Sequence, residues 1–231
     1  MAKLVLEDDR TPDEWRQDII EAILIHVPFD GWGDNAINRA ADDLGLTRGF
    51  IDLAFPKGLS NMITFFLEGL DQKLIEGLRV RGIEKMRIRD KISLAIRLKL
   101  EINDAYREAV HRTVTWLAMP LNVPLGAKLL WKTADVMWSM AGDTATDYNH
   151  YTKRGILSGV YSSTLLYWLN DNSVGYEDTW AFLDRRIENV MQFEKVKSKV
   201  VKATEGLPDV AAVLGQWRYG DQQKKDKDGD S

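Results

Sequence analysis

Cysteine is absent from the 231 residues, which excludes disulfides, Cys-ligated zinc, iron–sulfur clusters and thiol catalysis and is compatible with a reducing compartment. Long apolar runs are absent too. No stretch reaches the roughly 18 residues that mark a membrane span, and the N-terminal MAKLVLEDDR is too acidic and too short in apolar run for a signal peptide. Basic residues are in deficit, 31 Lys and Arg against 35 Asp and Glu, so broad affinity for nucleic acid is not expected. Neither a Ser-His-Asp constellation nor a Gly-rich phosphate loop stands out. Glu108-x-x-His111 has the spacing of helix-borne di-iron ligands, but such a site needs a second copy of the motif and two further carboxylates. No second copy exists, and a surface ion pair is expected there. His26, two residues before Pro28, reads as packing or surface. The expectation is therefore a soluble chain without metal, cofactor or catalytic residue, free to touch a membrane surface.

What is present is helical periodicity. Pro12 suits a first helical turn and opens a segment with Trp15, Ile19, Ile20, Ile23, Leu24 and Val27 on one stripe. Two short helices follow around Leu44-Gly45-Leu46, where Gly45 suits a left-handed turn and Thr47 caps the second helix. A longer helix runs from Ser60 to Gly82. Segments at about 87–103 and 104–119 lead to Pro120 and Pro124, which break the chain, and a helix at about 125–141 stops at Gly142. After a loop at NDNSVGYED, a charged helix covers 179–204. No segment alternates like a strand, and the predicted class is all-α.

The central stretch, 143–171, starts polar and turns apolar. Thr144 and Asp147 have capping-box spacing, which predicts a helix start near Thr144. Asp143, Asp147, Tyr151 and Arg154 then follow i, i+4, i+8, i+11 with His150 beside them, so two carboxylates, a phenol, a guanidinium and an imidazole share one face. Unlike charges clustered this way predict a solvent-exposed patch that contacts a protein. Beyond it, Ile156, Leu157, Val160, Tyr161, Leu165, Tyr167, Trp168 and Leu169 leave the helix apolar almost all round, hence buried or ligand-binding.

Large apolar side chains crowd the second half beyond what a small core requires, which predicts an internal pocket between helices. Its candidate lining is Trp116, Leu130, Trp131, Met137, Trp138, Tyr161, Leu165, Trp168, Phe182 and Met191. Near the C-terminus, Leu207, Val210, Leu214 and Trp217 follow i, i+3, i+7, i+10, the stripe of a short amphipathic helix that can lie in a membrane interface. Docking of this helix on its own body or on a dimer mate is the competing reading. The expected divisions are 1–11, an extension; 12–58, a helix-turn-helix-like head; 59–204, a ligand-binding bundle; 205–219, the amphipathic helix; and 220–231, a charged tail.

The head resembles the DNA-binding head of TetR: an apolar helix, a short helix with alanines, a Gly turn and a recognition helix ending in an aromatic. Charge argues against DNA. Residues 12–58 hold nine acids and four bases, and TRGFIDLAF offers one Arg beside one Asp.

The run AGDTATDYNHYTKRGILSGVYSSTLLYWLNDNSVGYEDTWAFLDRRIENVM, with IRDKISLAIRLKLE and the twin prolines upstream, closely resembles the ubiquinone-biosynthesis accessory family, the ninth of the Coq proteins. The resemblance extends over about residues 12–197. It implies a TetR-like fold that binds an isoprenoid lipid or quinone intermediate, homodimerises, and supports the demethoxyubiquinone hydroxylase without being an enzyme. It also implies attachment to a membrane surface through the C-terminal amphipathic helix, on the inner face of a bacterial cytoplasmic membrane or, in a eukaryote, the mitochondrial matrix side. The hydroxylase-facing patch then maps to Asp143, Asp147, His150, Tyr151 and Arg154, with His150 standing where members often have Trp. A TetR-type ligand-responsive regulator and an enzyme acting on a prenylated quinone are the other readings.

Overall fold

The computed structural model describes residues 10–143 and 148–204, with side chains as far as 190 except at 148 and 149. Among the described residues there are nine α-helices and no strand: α1 Arg16–Asp30, α2 Asp34–Leu44, α3 Arg48–Ala54, α4 Leu59–Arg81, α5 Ile88–Asp104, α6 Arg107–Leu117, α7 Val123–Met140, α8 Tyr148–Leu169 and α9 Glu177–Thr204. The all-α expectation holds. The chain divides into two compact units, 1–187 and 188–231.

In the head, α1 buries Ile19, Ile20, Ile23 and Val27, and α2 buries Ala36, Ile37, Ala40 and Ala41. These two helices pack together, small residues against branched ones. Helix α1 begins at Arg16, after a turn at residues 12–15 that contains Pro12. Gly45 takes φ 64°, ψ 23°, the left-handed conformation that costs glycine nothing, and Thr47 Oγ1 accepts from the Phe50 N–H at 3.2 Å, so both sequence-predicted punctuation marks are in place. His26 is buried, its Nε2 2.5 Å from Asp43 Oδ2. Trp32 Nε1 donates to Thr113 Oγ1 at 2.8 Å, and Arg112 donates to the Pro28 carbonyl at 3.1 Å, tying the α1–α2 junction to α6.

Helix α4 carries a regular row at a spacing of four, Met62, Phe66, Leu70, Leu74 and Leu78, all buried, and it packs on α5 and α7. Pro124 does not break the chain as expected. It sits in the first turn of α7, where a missing N–H leaves no helical bond unmade. At the other end of α7, Gly142 takes φ +90°, allowing the Asp143 N–H to reach back to the Trp138 carbonyl at 3.0 Å. Helix α8 is less buried than its composition predicts. Arg154, Leu157, Tyr161, Thr164 and Trp168 form the buried stripe at 3, 4, 3, 4 spacing, while Leu166 and Tyr167 are exposed. The predicted capping box at Thr144 and Asp147 lies outside the described residues.

The α8–α9 connection is held by two side chains. The Arg107 guanidinium donates to the carbonyls of Trp168, Leu169 and Asp171 at 2.9, 3.3 and 2.6 Å. Asp171 accepts from Ser173 N at 2.7 Å, Thr179 N at 2.9 Å and Thr179 Oγ1 at 2.5 Å. NDNSVGYED is thus an ordered link with a 3-10 turn at Val174–Tyr176. Burial opposes ionisation of Asp171, but the bonds from Thr179 and Ser173 outweigh it and bring the carboxyl to a pKa of about 2. The folded pKa lies below the unfolded one, so this stabilisation is complete above about pH 4 and drains away as the pH falls toward 2. Asp171→Asn is expected to flatten that acid limb of the stability curve, read by urea denaturation at each pH; an unaltered limb would refute it.

Candidate functional site

A cavity of about 320 Å³ lies among α4, α5, α6, α7 and α8. Its wall is mostly aliphatic: Leu67 from α4, Val110, Val114 and Leu117 from α6, Val123, Ala127, Leu129 and Leu130 from α7, and Leu165 and Leu166 from α8. Val123 and Leu166 line it while about half exposed, which puts the mouth between the α6–α7 turn and α8. Met119 and Leu121, on that turn, are also exposed. This is a concave, largely apolar, preformed site at the lower end of small-molecule pocket sizes.

One part of the wall is polar. Lys99, Asn103, Thr113, Thr133 and Tyr161 reach the cavity. Lys99 Nζ is 2.6 Å from Asp71 Oδ1, and Thr133 Oγ1 lies 3.0 and 3.2 Å from the two Asp71 oxygens, closing a buried ion pair with a hydroxyl. Burial pushes the Lys99 ammonium below its ordinary pKa against the pull of Asp71, and burial with the nearby Asp71 charge raises that of the Tyr161 phenol, which stays neutral.

Of the predicted lining, Leu130, Tyr161 and Leu165 reach this cavity and the other described residues do not. Trp168 and Met137 are fully buried in the core. Trp138 donates Nε1 to the Lys153 carbonyl at 3.0 Å, Trp131 stands 6.1 Å from the Tyr151 ring, and Phe182 stacks on Tyr167 at 4.6 Å. Trp116 is half-buried, away from the cavity wall. The difference has a physical reason: the aromatics join helices by ring contacts and core packing, and by the Trp138 indole N–H on a carbonyl, while short aliphatic chains leave the space. Side chains at Met191 and beyond, including Leu207, Val210, Leu214 and Trp217, lie outside the described residues. The sequence reading missed Lys99 and Asn103. A signal existed, for Ile96, Lys99, Leu100 and Asn103 follow i, i+3, i+4, i+7 and set a cation and an amide on the apolar stripe of α5.

The predicted exposed patch is corrected in part. Arg154 is 3% exposed, with Nε 2.5 Å from Asp135 Oδ1 and Nη1 3.1 Å from Asp143 Oδ2. The Asp143 side chain is 6% exposed and also pairs with Lys153 at 2.7 Å. Tyr151 is 64% exposed, its ring 5.2 Å from that of His150. The charged members of the patch hold the start of α8 to α7, because a buried guanidinium needs carboxylates, and Tyr151 is what faces solvent. Asp147 lies outside the described residues. Glu108 and His111 stand 3.9 Å apart on the surface, and Glu108 pairs with Arg112 at 2.9 Å, a surface ion pair. Among the described residues no group of three or more His, Asp or Glu is placed to hold a metal, and no helix is long and apolar enough to cross a membrane.

The chain's fold is similar to that of the crystallised TetR transcriptional regulator from Nitrosomonas europaea ATCC 19718, with a TM-score of 0.63 at 16% identity over 76% of this chain and 97% of that one. In sequence, it is 32% identical over 222 residues to the mitochondrial ubiquinone biosynthesis protein COQ9 of Rattus norvegicus, which covers 90% of this chain and 70% of that protein. The Homo sapiens protein of the same name is 31% identical over 222 residues, covering 90% and 69%. Residues 123–194, from α7 into α9, match the COQ9 family. With this identity over most of its length, the chain belongs to the COQ9 family.

Proposed function

We propose that this protein serves ubiquinone biosynthesis as a non-catalytic lipid-binding accessory, holding an isoprenoid or quinone intermediate between its helices and presenting it to the demethoxyubiquinone hydroxylase at a membrane surface. The observation that carries this reading is the apolar cavity with one polar wall in a chain of this family. About 320 Å³ takes a ring and a few isoprene units, and a longer tail would leave past Val123 and Leu166 over Met119 and Leu121. Organic extraction of the purified protein followed by mass spectrometry is expected to return a polyprenyl lipid. Leu130→Trp, which fills the cavity, is expected to lower the co-purified amount at least about fivefold without unfolding the chain. Equal lipid in both proteins would remove the cavity as the binding site.

Partner contact is assigned to the exposed Tyr151 and neighbouring His150, and membrane contact to Leu207, Val210, Leu214 and Trp217. A chain ending at Thr204 is expected to lose liposome flotation, and equal flotation would place the contact elsewhere. A homodimer is proposed as well, checked by light scattering. The location follows as peripheral, on the inner face of a bacterial cytoplasmic membrane or the mitochondrial matrix side.

The fold also supports a TetR-type regulator as a second reading. Against it, Arg48 on α3 is engaged by Asp52 at 3.0 Å, Asp34 at 2.9 Å and Asn38 at 3.1 Å, and Arg39 by Asp30 at 3.0 Å, so two of the head's bases already face acids. Sequence-specific retention of DNA flanking its own gene in a mobility-shift assay would reverse the preference.

A further inference from the structure

Asn103 is 2% exposed, lies on the cavity wall, and its Oδ1 is among the buried polar atoms with no hydrogen-bond partner. Tyr161 lines the same wall, and the carbonyl end of the Asn103 amide is the free acceptor on it. A buried acceptor without a partner is costly, and natural proteins keep one where something else satisfies it. Four residues earlier on α5, Lys99 lines the same wall with one N–H directed to Asp71 and two left to donate.

We infer that Asn103 is the residue that reads the ligand's head, accepting a hydrogen bond from the hydroxyl of a neutral phenolic or enolic amphiphile while Lys99 donates to an adjacent oxygen. This rests on the lipid-binding reading above and adds the head chemistry to it. Neutrality follows from the ion pair: Lys99 and Asp71 already compensate each other at 2.6 Å, so an anionic head such as a phosphate would enter with a charge that nothing buried balances. The tail lies on the aliphatic remainder, Val110, Val114, Leu117 and Leu130. A ligand whose head lacks an O–H leaves Asn103 unsatisfied and binds less tightly.

The test is calorimetric titration of the full chain with 4-pentylphenol, with its methyl ether 4-pentylanisole, and with pentyl phosphate. The phenol is expected to bind about tenfold tighter than the ether, which matches it in shape but cannot donate, and the phosphate more weakly than either. In Asn103→Leu the phenol's advantage is expected to vanish while affinity for the ether is kept. Equal binding of phenol and ether by the unaltered protein overturns the inference and leaves lipid binding standing, as does phosphate binding tightest. Binding of none of the three, with no lipid on extraction, overturns the lipid reading itself. The comparison of ligands on the unaltered chain decides the matter even if the Leu variant does not fold.

Discussion

Arg154→Ala is expected to destabilise the fold by about 3 kcal/mol or more, the cost of leaving a buried charge without its partner. Arg154 bridges Asp135 and Asp143 from a position 3% exposed, and the Asp143 side chain is itself 6% exposed. Lys153, 2.7 Å from Asp143, remains in the variant, which keeps the loss near the lower end of the roughly 3–5 kcal/mol range. For a chain of this length the melting temperature should fall by roughly 6–12 °C. Tyr151→Ala, three residues away and exposed, should change stability by no more than about 0.5 kcal/mol. The pair of variants separates architecture from recognition: hydroxylase pull-down with Tyr151→Ala tests the proposed contact, and thermal denaturation of Arg154→Ala reads the support beneath it. A melting temperature within 1 °C or so of the parent for Arg154→Ala would show that the cluster holds nothing together.

The second large effect is expected at Lys99. Lys99→Met keeps the volume but strands Asp71, 5% exposed, with the Thr133 hydroxyl as a remaining hydrogen-bond partner, and should cost about 3–5 kcal/mol. Removing both charges, with Asp71→Leu added, should recover most of the loss or exceed the parent, since a buried ion pair and a well-packed apolar pair are close in free energy. Urea denaturation of the two single variants and the double variant gives the coupling directly. Additive losses would mean that the two side chains act independently, against the 2.6 Å contact. The double variant also takes the Lys99 ammonium off the polar wall and leaves Asn103 in place, so the proposed preference for a phenol over its ether is expected to persist in it.

Much of the local structure was legible residue by residue. Gly45 and Thr47 punctuate α2 and α3 through backbone conformation and a single hydroxyl, both short-range effects that sequence carries in full. The row at a spacing of four from Met62 to Leu78 likewise specifies α4 and its buried face. Pro124 was misread because proline stops a helix in its interior and starts one in its first turn, and which of these applies depends on where the hydrogen-bonded turns begin. Arg154 was misread for a different reason. Charges at i, i+4, i+8, i+11 share a face, but whether that face meets water or a neighbouring helix rests on Asp135, nineteen positions away and on α7.

The sequence by itself determined the class, the order and approximate ends of the helices, and the family, because periodicity, caps and motif residues are properties of contiguous chain. Only the tertiary structure decided which apolar side chains bound empty space and which fill it. Trp138 and Leu130 are equally apolar in a string of letters; in the fold an indole N–H is anchored on the Lys153 carbonyl while the shorter leucine looks into the cavity. The same holds for Asp71, Lys99, Asn103 and Tyr161, which come from three helices and form one polar cluster only when α4, α5 and α8 bring them together, Lys99, Asn103 and Tyr161 on the cavity wall and Asp71 against Lys99, since a buried polar group has chemical meaning through the partners that packing gives it or withholds.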